Sequence, residues 1–275
     1  MTSKNDHDAS SEDGDSFITS RAGGEIFVQR RGHGAPLVWV GGLGDDHTGW
    51  AAQVEQFAND YTCVTFDNRG VGRSTVLPGP YSMEDFADDA HDIVTELALG
   101  PVTAIGSSMG GAICQRWALR YPEDISRLVL ASTWGEQDPY LDLLLSHWIS
   151  LIDAGQEKRL AESLFLGCYS GSHLSQHKEL IDEFLATPLP DLDGLKAAAQ
   201  ACRGHHALGE LSSVDIPALV IAGSLDIVAR PELSAHLAQH LPLATLKTIQ
   251  SGHMIMWERP EEFAEAITGF LLQEK

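Results

Sequence analysis

Basic residues are scarce in this chain. Lys and Arg number 18 against 39 Asp and Glu, a formal net charge of -21 over 275 residues. Nucleic acids and anionic membranes are held chiefly by clustered Lys and Arg, so this balance excludes nucleic acid as a partner. Long apolar runs are missing too: no segment reaches the roughly 20 consecutive apolar residues of a spanning helix, and the N-terminal stretch lacks the apolar core of a secretory signal. The chain is therefore expected to have no membrane partner and to stay in the cytoplasm. Cysteine is limited to Cys63, Cys114, Cys168 and Cys202, widely spaced, without a CxxC pair and mostly inside apolar segments. That usage predicts buried thiols rather than disulfides or zinc. No internal repeat is present.

What is present is 43% apolar content in a length that suits one α/β domain, with or without an insertion. Residues 1–16 are polar and rich in Asp, Glu and Ser, and read as a flexible tail. Short apolar runs then recur at Ile26 to Arg30, Leu37 to Val40, Cys63 to Phe66, Val102 to Ile105, Leu128 to Ala131, Ala218 to Ala222 and Thr245 to Ile249. Helical patterns alternate with them. One starts at a capping-box pair, Ser82 and Asp85, and runs to about Leu99; others cover Ile113 to Leu119, Leu233 to His240 and Pro260 to Leu272. Strands alternating with helices at these intervals predict βαβ units and a mostly parallel sheet with helices on both faces. Residues 17–133 and 214–275 form this α/β core. Between them, residues 134–213 carry no strand signal but helical patterns at Leu143 to Ile152, Leu160 to Phe165 and Leu180 to Leu185. An insertion at the carboxyl ends of such strands is expected to lie over the ligand crevice as a helical lid.

The chemistry concentrates where those strands end. Gly106-Ser107-Ser108-Met109-Gly110 fits G-x-S-x-G, with an apolar strand before it and a helix after it, so Ser108 is the candidate nucleophile. A serine hydroxyl needs a base in hydrogen-bonding reach and a carboxylate to orient that base. Asp226 and His253 each follow a late strand by four residues, and the order Ser, Asp, His suits this arrangement. Glu136 or Asp138, after the Leu128 to Ala131 strand, is the rival for the acid. The backbone N–H groups of Leu43, in the Gly41-Gly42-Leu43-Gly44 loop, and of Met109 are the candidate oxyanion hole; the glycine loop alone also reads as a simple tight turn. Asp45-Asp46-His47 and His205-His206 read as solvated loop residues, and no metal site is expected.

From Phe17 onward the chain resembles the α/β-hydrolase superfamily, and within it the 3-oxoadipate enol-lactonases and related bacterial esterases. The likeness rests on Asp67-Asn68-Arg69-Gly70-Val71-Gly72-Arg73-Ser74, on Gly106 to Gly111 with Gln115 beyond, on Pro217 to Gly223 before Asp226, and on His253 with Glu258-Arg259-Pro260-Glu261-Glu262-Phe263 after it. The resemblance implies a parallel sheet of near eight strands, a helical lid, no cofactor, and hydrolysis of a small-molecule ester or lactone through an acyl-enzyme; carbon–carbon cleavage or cofactor-free perhydrolysis with the same triad, a ligand receptor on the same fold, and a homo-oligomer are left open. Dehalogenase and epoxide hydrolase chemistry need an Asp where Ser108 stands. Family members commonly have His-Gly where this chain has Gly41-Gly42. A dicarboxylate-type lactone would need a cationic anchor, and the insertion offers Lys158, Arg159, Lys178, Lys196 and Arg203, all mixed among acids; Arg69 lies nearer the crevice, where such residues more often brace the loop. Trp134 and Trp148, with Phe165 and Tyr169, line an acyl or alcohol pocket or form the insertion's own core.

Overall fold

In the computed structural model, which describes residues 13–273, the short apolar runs become strands of one eight-stranded sheet. They are β1 (Gly14–Thr19), β2 (Glu25–Arg31), β3 (Ala35–Val40), β4 (Tyr61–Phe66), β5 (Val102–Ser107), β6 (Ile125–Ala131), β7 (Ala218–Gly223) and β8 (Ala244–Ile249), in spatial order β1-β2-β4-β3-β5-β6-β7-β8. Strands β3 to β8 run parallel, while β2 is antiparallel to β4 and β1 antiparallel to β2.

Parallel strands require crossovers, and these come from helices that bury both faces of the sheet. On one face Leu37, Trp39, Ile105, Val129 and Ile221 pack with Trp50, with Phe57 of α1 (Ala51–Phe57) and with Phe263 and Ile267 of α11 (Pro260–Leu271). On the other, Val38, Val40, Ala104, Leu128 and Val220 meet α2 (Met83–Glu96) and α3 (Met109–Arg120) through Phe86, Ile93, Ile113 and Trp117. The alternation along β3 therefore sends successive side chains into two separate cores. Helix α2 begins as its capping pair predicts: the Ser82 hydroxyl takes the Asp85 N–H while the Asp85 carboxylate takes the Ser82 N–H.

Strand β1 corrects the N-terminal boundary. Gly14, Asp15 and Ser16, read as tail from their polarity, pair with Arg30, Gln29 and Val28 at the sheet edge. An edge strand with one exposed side tolerates polar residues, and Asp15 is further held by Arg31 at 3.0 Å and Arg73 at 3.3 Å. The rest of that tail, residues 1–12, lies outside the described residues.

Between β6 and β7 the chain forms five helices: α4 (Pro139–Asp153), α5 (Glu157–Cys168), α6 (Gly171–Gln176), α7 (Glu179–Ala186) and α8 (Leu192–Arg203). Helix α8 is not among the helices expected above; Leu195 apart, its buried face is built of small residues, among them Gly194, Ala197, Ala198 and Ala201. Smallness is what the packing needs: a Cβ on Gly194 would lie 2.2 Å from the Gly70 carbonyl oxygen, so the helix lies directly on the loop after β4. After β7 come α9 (Pro231–His240) and, after β8, the short α10 (Ile255–Glu258). Among the described residues no helix is long and apolar enough to cross a membrane.

Candidate active site

The site is built where β5 turns into α3. Ser108 sits between them with φ 54° and ψ −119°, a backbone conformation that side-chain-bearing residues rarely adopt. The turn is possible because its neighbours lack side chains. A Cβ on Gly106 would lie 2.3 Å from the Gly110 carbonyl oxygen, and one on Gly110 would lie 2.1 Å from the Val40 carbonyl oxygen. The two flanking glycines thus let helix α3 press against β5 and β3, which thrusts Ser108 above the sheet. Two further bonds fix the turn: the Ser108 N–H donates to the Ala131 carbonyl at 2.9 Å, and the Thr133 hydroxyl donates to the Ser108 carbonyl at 2.7 Å.

Asp226 and His253 arrive from the loops after β7 and β8. His253 Nε2 lies 2.9 Å from Ser108 Oγ, and its Nδ1 lies 2.8 Å from Asp226 Oδ2. The other Asp226 oxygen takes the Val228 N–H at 2.8 Å, which sets the carboxylate's orientation. All three residues are buried. The rivals for the acid are engaged elsewhere: Asp138 caps α4 at Leu141 and pairs with Arg230, and Glu136 pairs with His206.

The charge balance around the imidazole favours a proton. Burial is the largest influence on His253 and works against the cation, but the adjacent Asp226, its hydrogen bond and the nearby Asp45 together outweigh it, so the pKa is raised. The loop carrying His253 is itself anchored. The Ser132 hydroxyl donates to the His253 carbonyl at 2.7 Å, and the buried Glu258 carboxylate collects the Gly252 N–H at 3.1 Å with the Ser170 N–H at 2.6 Å and hydroxyl at 2.8 Å. Glu258 thereby ties the insertion's α5–α6 junction to the residue preceding His253. Its position in the sequence was legible only as part of a family motif, without this tie.

Ser108 and His253 open onto a cavity lined on the sheet side by Gly42, Leu43 and Val228, and on the insertion side by Trp134, Leu141, Leu145, Trp148 and Leu164. Both tryptophans read as pocket residues thus line the cavity. Phe165 and Tyr169 do not; their rings meet at a tilt, and Phe165 also meets Phe184, within the insertion. Leu43 lies on the loop after β3, and a Cβ on its neighbour Gly42 would be 3.5 Å from Ser108 Cβ, which brings that backbone alongside the nucleophile. Met109 is the first residue of α3, where N–H groups have no acceptor within the helix.

Two expectations are corrected here. Asp45 and His47 are not solvated loop residues: Asp45 lines the cavity, and His47 donates its N–H to the buried Asp67 and faces it with Nδ1, both at 2.7 Å. With Asp46 these side chains bring three ligand-type atoms within 4.8 Å of one another. Both Asp67 oxygens already accept N–H groups, however, the second from Arg73 at 2.8 Å, and Asp46 caps Thr48, so the cluster closes a turn rather than pointing donors into open space. His205 is also buried rather than solvated, with Nε2 3.2 Å from Gln115 Oε1, and burial pushes its pKa down to about 3. In both cases the surroundings come from distant segments, the loop after β4 through Asp67 for His47 and helix α3 through Gln115 for His205.

Residues 35–260 match the model of the α/β hydrolase fold family. The chain belongs to that family. Among relatives it is 29% identical over 253 residues to RutD of Rhizobium rhizogenes, provisionally named a carbamate hydrolase, covering 90% of this chain and 96% of that one. It is 28% identical over 264 residues to a 3-oxoadipate enol-lactonase of Acinetobacter baylyi, covering 93% and 96%. Among solved structures, a thermophilic esterase of Thermogutta terrifontis superposes with a TM-score of 0.85 at 27% identity, covering 94% of this α/β hydrolase and 98% of the esterase.

Proposed function

We propose that this α/β hydrolase is a serine hydrolase that cleaves a small, largely apolar carboxylic ester or lactone through an acyl-enzyme on Ser108. The observation that carries the reading is the unbroken hydrogen-bonded line from Ser108 through His253 to Asp226 at the mouth of an apolar cavity. His253 Nε2 takes the hydroxyl proton as Ser108 Oγ attacks the carbonyl carbon. The oxyanion that forms is met by the N–H groups of Leu43 and Met109, and the α3 N-terminus favours the same negative charge. The tetrahedral intermediate collapses as His253 hands the proton to the departing alkoxide. Water then attacks the acyl-enzyme with His253 again as base, and Ser108 regains its proton. Asp226 stays ionised throughout and holds the imidazole in the tautomer with Nδ1 protonated.

Helices α4 and α5 act in this scheme as the lid, with Trp134 and Trp148 as walls for the acyl or alcohol part. The cavity supports a neutral substrate over a dicarboxylate-derived lactone such as the one in the Acinetobacter relative's name, since no Lys or Arg lines it. Of the basic residues weighed as anchors, Arg69 is buried against Asp89 at 2.7 Å, while Arg159, Lys196 and Arg203 pair with Glu162, Asp153 and Asp142 at the surface. The test is kcat/KM on a panel of p-nitrophenyl esters, lactones and a simple carbamate, with wild type and Ser108→Ala. Turnover of esters or lactones that falls roughly a millionfold in kcat in the variant supports the assignment; a variant within about tenfold of wild type on every compound contradicts it.

A further inference from the structure

Asp45 is the one carboxylate among the residues that line the Ser108 cavity, and the wall around it is apolar apart from His253, Ser108 and two thiols. The loop after β3 folds back to put it there. The Asp45 N–H donates to the Gly42 carbonyl at 3.3 Å, and a Cβ on Gly41 would lie 3.0 Å from the Asp45 carbonyl oxygen. A Cβ on Gly42 would lie 2.9 Å from Asp45 Oδ2 and 3.5 Å from Ser108 Cβ, so the carboxylate and the nucleophile flank the same short stretch of backbone. That packing leaves little room for a side chain at residue 41, and one at residue 42 would displace the Asp45 carboxylate. Among the described residues Asp45 forms no ion pair, in contrast to Asp226, which His253 holds.

A carboxylate in such a position has the Gly42 N–H and the nearby His253 but no Lys or Arg to balance it, and it lines the space that an entering substrate would occupy. We propose that Asp45 is a charge-selecting residue of this site, turning away substrates whose acyl part carries a free carboxylate and admitting neutral ones. The proposal rests on the reading of this cavity as a serine hydrolase site and adds to it the charge class of the substrate. A second negative charge brought into the cavity would meet Asp45 across low-dielectric surroundings, where repulsion between like charges is far stronger than in water. The groups facing Asp45 are His253, Asp46, Cys168 and Tyr169. Burial keeps the Cys168 thiol and the Tyr169 phenol protonated and neutral, so the charges facing Asp45 are that of Asp46 and, when it is protonated, that of His253. Burial also lifts the Asp45 carboxyl to about 6, with Asp46 adding to the rise and His253 and the Gly42 N–H opposing it. Above that pH the charge filter is on; below it Asp45 is neutral and the filter is off.

The experiment compares kcat/KM for p-nitrophenyl butyrate with that for mono-p-nitrophenyl succinate, nearly isosteric esters that differ by one carboxylate. Taking the ratio cancels the loss of activity that His253 protonation imposes on both. For wild type the neutral ester is favoured about 100-fold at about pH 8, and the preference shrinks toward about pH 5.5. Asp45→Asn narrows the preference at about pH 8 at least tenfold, about 1.4 kcal/mol, and removes its pH dependence, whereas Asp45→Glu keeps both. Equal ratios in wild type and Asp45→Asn, or a wild type that favours the succinate, overturn the proposal. A wild type that hydrolyses neither ester and takes no fluorophosphonate overturns the serine hydrolase reading itself; one that is labelled yet hydrolyses neither overturns the neutral-acyl selection alone.

Discussion

The carboxyl edge of the sheet and the helical insertion above it are held by different means. At the sheet edge, every residue of β5 and β7 is buried, and the loops leaving them are pinned by backbone contacts that would not admit one more carbon. In the insertion, α6 and α7 bury no residue fully, and large apolar side chains such as Leu143 at 69% and Leu166 at 63% stand in solvent. The proposed reacting groups thus sit on loops pinned to the sheet, while the insertion combines buried cavity walls, Trp134, Leu141, Leu145 and Trp148, with outer helices that are largely exposed. The proposed chemistry depends on distances of 2.8 and 2.9 Å and needs the pinned loops; the exposed outer helices can vary without disturbing them.

That contrast can be broken from the sheet side first. Asp226→Asn leaves the shape intact but removes the charge that holds the imidazole tautomer, and a loss of roughly 10,000-fold in kcat is expected from steady-state kinetics. The surviving activity also reports on pH. Only the free His253 can accept the Ser108 proton, and its pKa is raised, so wild-type kcat/KM should fall with decreasing pH through a midpoint above about 6.5; removing Asp226 should move that midpoint down. A midpoint that stays in place would mean that Asp226 does not set the base.

Next in size is Gly110→Ala. Its new Cβ would lie 2.1 Å from the Val40 carbonyl oxygen and 2.8 Å from that of Gly41, both backbone atoms, so β3 or α3 must shift. About 3 kcal/mol of destabilisation is expected, read as a drop in melting temperature and in urea midpoint. Smallest is Trp148→Ala on the insertion side. The indole lines the cavity and is held by a 3.0 Å bond from its Nε1 to Ser163 Oγ. Losing it should raise KM about tenfold for long-chain esters while leaving acetate esters much less affected, since only the longer chain reaches that wall. An equal effect on all chain lengths would place the substrate elsewhere in the cavity.

The sheet was legible because its strands are short apolar runs closed by glycine and polar residues, and the positions of Ser108, Asp226 and His253 follow from where those runs stop. Strand β1 escaped notice because an edge strand needs no apolar alternation, and its partners Arg30 and Gln29 are as polar as itself. Helix α8 escaped because, Leu195 apart, its buried face is made of alanine, glycine and cysteine rather than large apolar residues, and these allow its close approach to Gly70. The burial of His205 and the placing of Asp45 in the cavity wall were invisible for a related reason. Burial of a polar residue is decided by which distant segment packs over it, and neither local spacing nor composition carries that information.

Whether Ser108 is an activated nucleophile is decided most directly by intact-mass analysis after exposure to a small fluorophosphonate, on wild type and Ser108→Ala side by side. A single adduct on wild type, absent from a folded Ser108→Ala protein, is the expected result; no adduct on wild type, or the same adduct on both, would contradict the assignment.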